Sequence, residues 1–196
     1  MDTEIIELCV KNNEEVIYPF IWLNGREKEV TVKVRLEGDN SSFLLCGIFL
    51  GSKDNRIIFN TDVDHIGKNT KSLTMLRAVL FDKSVFSNDG LVRITKGAKN
   101  SDGYFRSKIL LFDDAKGKSV PSLEIDENEV KAGHGSTIGR PDQEQLFYLR
   151  SRGLSEKEAE ALIVSGFFEP LIKMLRPEEQ QKVIKQVKSF LRKYEL

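Results

Sequence analysis

Glu29-Val30-Thr31-Val32-Lys33-Val34-Arg35-Leu36 alternates apolar and polar residues with a period of two. Successive side chains of an extended chain point to opposite faces, so this stretch reads as a strand with one face buried and one wet. The residues on either side of it are punctuation. Asn24-Gly25 precedes the strand, and Gly38-Asp39-Asn40, Gly51-Ser52-Lys53-Asp54-Asn55, Gly67-Lys68-Asn69 and Asn88-Asp89-Gly90 follow it. Gly and Asn tolerate positive φ and so mark the corners between strands. Gly25, Gly38 and Gly51 fall at an even 13-residue spacing, after which the spacing loosens. Short, evenly spaced strands suit a sandwich, a barrel or a β-solenoid, and composition does not choose among the three. Asp89-Gly90 also has the form of a hairpin turn, which predicts local antiparallel pairing.

The character of the chain changes near Pro141. Asp142 is placed to cap a helix that runs to about Ser151 and stops at Gly153. Ser155-Glu156-Lys157-Glu158 has the form of a capping box, so a second helix starts there. It carries Ala159, Leu162 and Ile163 on one face and is expected to end near Gly166, followed by a short piece around Pro170–Leu175. Pro177 suits the first turn of a last helix, with Glu178 and Glu179 favourable for its dipole. Val183, Ile184, Val187, Phe190, Leu191 and Tyr194 then form one apolar stripe, expected to be core or docking surface.

Composition sets outer limits on function. The 196 residues carry 30 basic and 30 acidic side chains, so no chain-wide field draws the protein to nucleic acid or anionic membrane. The longest strongly apolar run, Phe43–Leu50, is far shorter than the roughly 20 residues a membrane-spanning helix needs. Met1-Asp2-Thr3-Glu4 lacks a basic signal-peptide start, which leads us to expect a cytoplasmic protein. Cys9 and Cys46 lie in apolar segments and are expected to be buried free thiols. No phosphate-binding G-x-x-x-x-G-K-[ST] loop is present, so the chain itself is expected to bind no nucleotide.

Candidate chemistry is sparse. His134, between Gly133 and Gly135, sits in what reads as a tight polar turn that leaves its imidazole accessible. Asp64-His65 pairs a carboxylate with an imidazole but reads more simply as a turn with local hydrogen bonds. Asp113-Asp114 and the run Glu124, Asp126, Glu127 and Glu129 read as a solvated face.

Taken in order, several pieces resemble the SufB/SufD family of iron–sulfur cluster assembly scaffolds. They are Asp64-His65, Asn69-Thr70-Lys71-Ser72, Asn100-Ser101-Asp102, Leu110-Leu111-Phe112-Asp113-Asp114-Ala115, Pro121-Ser122-Leu123-Glu124-Ile125, His134-Gly135-Ser136-Thr137-Ile138-Gly139 and Phe147-Tyr148-Leu149-Arg150-Ser151-Arg152-Gly153. Gly135 directly after the histidine is nearer the SufD form, whereas Ala132 stands where SufD-like members often carry Cys. The resemblance implies a mainly β protein, a right-handed parallel β-helix core over 1–140 with a small C-terminal α-helical domain over 141–196. It also implies a non-enzymatic scaffold. His134 would be an iron ligand, with a transient iron–sulfur cluster shared with a partner subunit, because two cysteines cannot supply four thiolates. A SufC-like ABC ATPase would dock on the C-terminal helices through Leu146, Phe147, Leu149, Arg150 and Arg152. The β-helix would pair with a second SufB/SufD-type subunit or with an identical chain. The alternatives are a β-helix carbohydrate-active enzyme using the acids near Glu124, and an accessory subunit of an ABC-ATPase system outside cluster assembly.

Overall fold

The computed structural model describes residues 2–23, 25 and 27–193. Ten strands come first: β1 (Asp2–Val10), β2 (Glu15–Leu23), β3 (Lys28–Leu36), β4 (Ser42–Gly51), β5 (Arg56–His65), β6 (Lys71–Leu80), β7 (Val85–Ile94), β8 (Asp102–Leu111), β9 (Lys116–Ile125) and β10 (Lys131–Gly139). The odd strands form one sheet in the order β1-β3-β5-β7-β9. The even strands form the other, in the order β10-β8-β6-β4-β2. Every recorded pairing is parallel. Each pair of consecutive strands is thus one turn of a β-solenoid, and the next turn stacks on it in register. The expected parallel β-helix is present.

The corners explain why the chain can coil this way. Asn13, Asn40, Asn69 and Asn100 stack along one corner at φ of 58°, 58°, 56° and 58°; Lys53, Asp82 and Asp113 stack along another at 57°, 56° and 47°. Asn and Asp pay the least among non-glycine residues for this left-handed geometry. Rungs are tied by side-chain bonds between residues 27 to 31 apart: Asn40 Nδ2 donates to Asn13 Oδ1 at 3.2 Å, and the Asp82 amide donates to Asp113 Oδ2 at 2.9 Å. Gly38 and Gly67 are needed because the rungs touch here; a Cβ on Gly67 would lie 2.5 Å from the Gly38 carbonyl oxygen.

Three of the turn expectations held, the segment 51–55 between β4 and β5 among them, and one did not. The segments at 38–40 and 67–69 are corners, but Asn88-Asp89-Gly90 lies inside β7 and makes no hairpin. Gly90 is glycine for packing: a Cβ there would sit 2.1 Å from the ring of Phe105, which is wholly buried on β8 in the facing sheet. Asn88 points into the core, donating to Ser107 Oγ at 3.0 Å and accepting from Ser119 Oγ at 2.8 Å. Asn24 lies outside the described residues.

The apolar interior alternates as Glu29–Leu36 foretold, with Val30, Val32, Val34 and Leu36 fully buried. Phe49 stands between Phe59 and Phe86, with ring centroids 4.9 and 4.6 Å away, and forms a column along the solenoid axis. Phe43–Leu50 is apolar throughout because β4 is covered on both sides. Phe43, Leu45 and Phe49 face the interior, while Cys46, Ile48 and Leu50 meet the helices.

Those helices are α1 (Gln143–Ser151), α2 (Glu156–Ile172) and α3 (Pro177–Lys193). Asp142 caps α1, and the Ser155/Glu158 capping box opens α2, as expected. α2 does not end near Gly166 but runs through Pro170. An internal proline costs about 3 kcal/mol. Burial of Phe168, Leu171 and Ile172 in the outer cluster returns about 1.5–3 kcal/mol per side chain, which outweighs it. On α3, Val183, Val187, Phe190 and Leu191 are buried, Ile184 is partly exposed, and Tyr194 lies outside the described residues.

Candidate functional site

His134 is on β10 rather than in a turn, because β10 hydrogen-bonds along β8 over its whole length. In a parallel ladder, paired residues share a face. His134 pairs with Phe105, so it belongs to the row that points into the solenoid interior. Phe105 is wholly buried, while His134 is exposed, because β10 is the last strand of its sheet and nothing among the described residues stacks on it. The imidazole has no hydrogen-bond or ion-pair partner among the described residues.

The surroundings of His134 are bare by construction. Gly133 and Gly135 leave the opposite face of β10 bare on either side of His134, where Tyr104 and Arg106 of β8 are their pairing neighbours. The Arg106 guanidinium stands 5.7 Å from the Tyr104 ring centre. An open groove of about 330 Å³ is lined by Tyr104, Arg106, Lys108, His134, Ser136 and Thr137 among others. It offers one imidazole, hydroxyls and cations. Among the described residues no group of three or more His, Cys, Asp or Glu is placed to hold a metal. His134 thus stands without a second such ligand group around it among the described residues. Ala132 pairs with Gly103 on the same row and adds no ligand. Tyr104 and Arg106 were invisible to the sequence reading, since only the pairing of β8 with β10 brings them next to the His134 backbone, on the face opposite its ring.

The cysteines stand elsewhere. Cys9 is exposed on β1, contrary to expectation, because its position in the alternation faces outward. Cys46 is buried under the helices, and burial pushes its thiol up to about 11.

Asp64 and His65 do not act together, since neighbours in a strand face opposite ways. Asp64 lies on the outer face of its sheet, paired with Arg93, whose Nε also donates to Glu124 at 2.6 Å. His65 is fully buried at an interior corner, Nδ1 2.7 Å from Thr70 Oγ1 and Nε2 2.7 Å from Ser72 Oγ. Burial lowers its pKa to about 4, so the ring is neutral. The acids near Glu124 are also committed to structure. Glu127 was expected on the solvated face, but its carboxylate is turned into the corner and accepts from the Gly97 and Asn128 amides, both at 2.9 Å. Those amides hold its pKa below the usual carboxylate range.

At the helical end, α1 buries none of its residues. Phe147 and Tyr148 are 76 % and 60 % exposed. Leu146 and Leu149 are half-buried, and Arg150 and Arg152 are exposed. Arg150 reaches Glu156 at 3.8 Å, and Arg152 lies 6.0 Å from the Tyr148 ring centre. Between α1, α2 and the sheet is a cleft of about 610 Å³, lined by Leu110, Pro141, Tyr148, Leu149, Leu162 and Phe167 among others. The five residues singled out from sequence thus divide, Leu149 lining the cleft and Phe147 facing solvent. Tyr148 and Leu162 are additional exposed apolar groups here. No helix among the described residues is long and apolar enough to cross a membrane.

A parallel solenoid of two sheets with a helical tail and an open, histidine-bearing last rung defines the class of protein, and comparison with known proteins supplies the family. A family model described as the SUF system FeS cluster assembly SufBD core domain matches residues 10–167. The chain is 33 % identical over 129 residues to the iron–sulfur cluster assembly protein SufD of Bacillus subtilis, covering 65 % of this chain and 30 % of that protein. It is 33 % identical over 174 residues to a SufBD family protein of Mycobacterium leprae, covering 84 % of this chain and 44 % of the relative. Against SufD of Escherichia coli it is 31 % identical over 157 residues, covering 80 % and 37 %. The chain belongs to the SufB/SufD family of iron–sulfur cluster assembly proteins, and it spans less than half the length of these relatives.

Proposed function

We propose that this protein is a cytoplasmic, non-enzymatic scaffold subunit on which an iron–sulfur cluster is built as cargo. It pairs through the open end of its β-helix with a second SufB/SufD-type subunit or an identical chain. A SufC-like ABC ATPase docks on its helices. The observation that carries this reading is the last rung: β10 presents an unpaired strand edge and an unpartnered imidazole together. An unprotected edge is a template for another chain, and a lone imidazole needs further ligands to hold iron. A subunit seated on β9 and β10 meets both requirements. Val120, Ile125 and Ile138, each 40–42 % exposed on these two strands, add apolar surface to the contact. Family membership and the exposed aromatic pair Phe147 and Tyr148 on α1 support the ATPase contact. The chemistry of His134 is simple: an imidazole nitrogen with no competing partner among the described residues would donate its lone pair to iron.

The test is anaerobic reconstitution with iron, sulfide, the partner subunit and the ATPase, read by visible absorbance of the cluster. His134→Ala is expected to lose cluster yield while its circular dichroism and melting temperature stay those of the parent. Normal yield from that variant overturns the ligand assignment. Phe147→Ala combined with Arg150→Glu is expected to lose capture of the ATPase while pairing of the scaffold persists; retained capture removes the docking assignment.

A further inference from the structure

The chain is neutral overall, but its last described helix, α3, is not. From Gln180 to Lys193 the sequence holds Lys182, Lys185, Lys188, Arg192 and Lys193 and no acidic residue. The apolar face of α3 is already committed, with Val183, Val187, Phe190 and Leu191 packed in the outer cluster. Lys185, Lys188 and Arg192 recur at helical spacing along the opposite side. Among the described residues, none of Lys182, Lys185, Lys188 and Arg192 has an ion-pair partner. Beside this row runs a groove of about 370 Å³ between α2 and α3. Leu154, Ala161, Leu162 and Leu191 give it an apolar lining, with Lys188 and Arg192 on one wall; Ser165 and Glu158 also line it, the Glu158 carboxylate being held by the Ser155 amide and hydroxyl. Leu162 is 52 % exposed and Ile184, on the same helix as the cations, 39 %.

We infer that this groove docks an acidic amphipathic helix of a protein partner. Apolar side chains at helical spacing enter between α2 and α3, and flanking carboxylates face Lys185, Lys188 and Arg192. The two features define the occupant together. An anionic membrane would call for an apolar face free to insert, and that of α3 is buried against the sheet. A nucleic acid would use the cations but not the leucines. The groove shares Leu162 with the cleft beside α1, but its cationic wall is on α3, beyond residue 167, where the family-model match stops. The apolar wall thus comes largely from the matched region, and the charges that select the occupant come from outside it.

The experiment uses the full chain and a fluorescein-labelled synthetic helix with leucines at i, i+3, i+4 and i+7 and glutamates elsewhere, followed by anisotropy at low and at physiological salt. Saturable binding is expected. The Lys185→Glu/Lys188→Glu/Arg192→Glu variant should weaken it by about tenfold or more, as three reversed exposed charges allow. Leu162→Ser should weaken it several-fold without moving the melting temperature. A peptide with Leu→Ser throughout should also fail to bind. Equal binding of that polar peptide, indifference to the charge reversal, or tighter binding of duplex DNA or phosphatidylserine vesicles would each overturn the inference.

Discussion

His65 should make the stability of this protein depend on pH in a window set by one buried ring. Its pKa is lowered from 6.5 to about 4 by burial alone. Above pH 6.5 neither the folded nor the unfolded chain holds the proton, and the full stability is present. Between pH 6.5 and about 4 the unfolded chain binds a proton that the folded chain refuses, so stability falls as pH falls. Once pH is below the folded value both states are protonated and the loss stops growing. The shift corresponds to a total loss of roughly 3 kcal/mol, of which about 2 kcal/mol has gone by pH 5. That is a large part of the 5–15 kcal/mol typical of a domain. The assay is urea denaturation of the parent and of His65→Gln from pH 7.5 down to 4.5. At pH 7.5 the variant should be less stable by about 1–3 kcal/mol, because Thr70 and Ser72 lose a buried partner. By pH 5 the gap should have narrowed by about 2 kcal/mol, since the variant has no ring to titrate while the carboxylates titrate alike in both. Parallel stability curves across that range would refute the reasoning, as would an imidazole resonance of His65 titrating near its ordinary value.

Other consequences follow from packing. Gly90→Ala should cost about 1–3 kcal/mol, because its Cβ would overlap the immobile Phe105 ring, and Phe105→Leu in the same chain should recover part of the loss; unchanged denaturation of the single variant would count against the packing argument. Removing residues 142–196 should give an aggregating, dye-binding product, since Cys46, Ile48, Leu50, Val79, Phe81 and Phe112 lose their cover; a well-behaved soluble product would show that the helices are not needed there. A thiol reagent at neutral pH should label Cys9 at once and Cys46 only on unfolding, as exposure and a thiol pushed to about 11 require; mass spectrometry of the native protein reads this directly, and prompt double labelling is the contrary result.

What the sequence determined by itself is local. Alternation over Glu29–Leu36 marks a half-buried strand in any sheet, the asparagines at 40 and 69 accept left-handed geometry wherever a corner is needed, and Asp142 and Ser155 cap the helices with their own side chains. Each of these depends on residues a few positions apart. The β-helix was legible only through resemblance to a family, because period-two alternation is the same whether strands pair antiparallel or in parallel with a strand 26 to 31 residues away. Tertiary structure alone decided the rest. It placed Asn88-Asp89-Gly90 inside a strand, because Phe105 across the core fills the space a side chain would need. It drew α2 through Pro170, because the outer face of β4 and β6 had to be covered. It also put His134 on an interior row where none of the described residues stacks on β10, so that the ring faces the solvent while its row-mate Phe105 is buried. Such outcomes depend on what stands across the core or on the next turn, and a chain read residue by residue does not contain that distance.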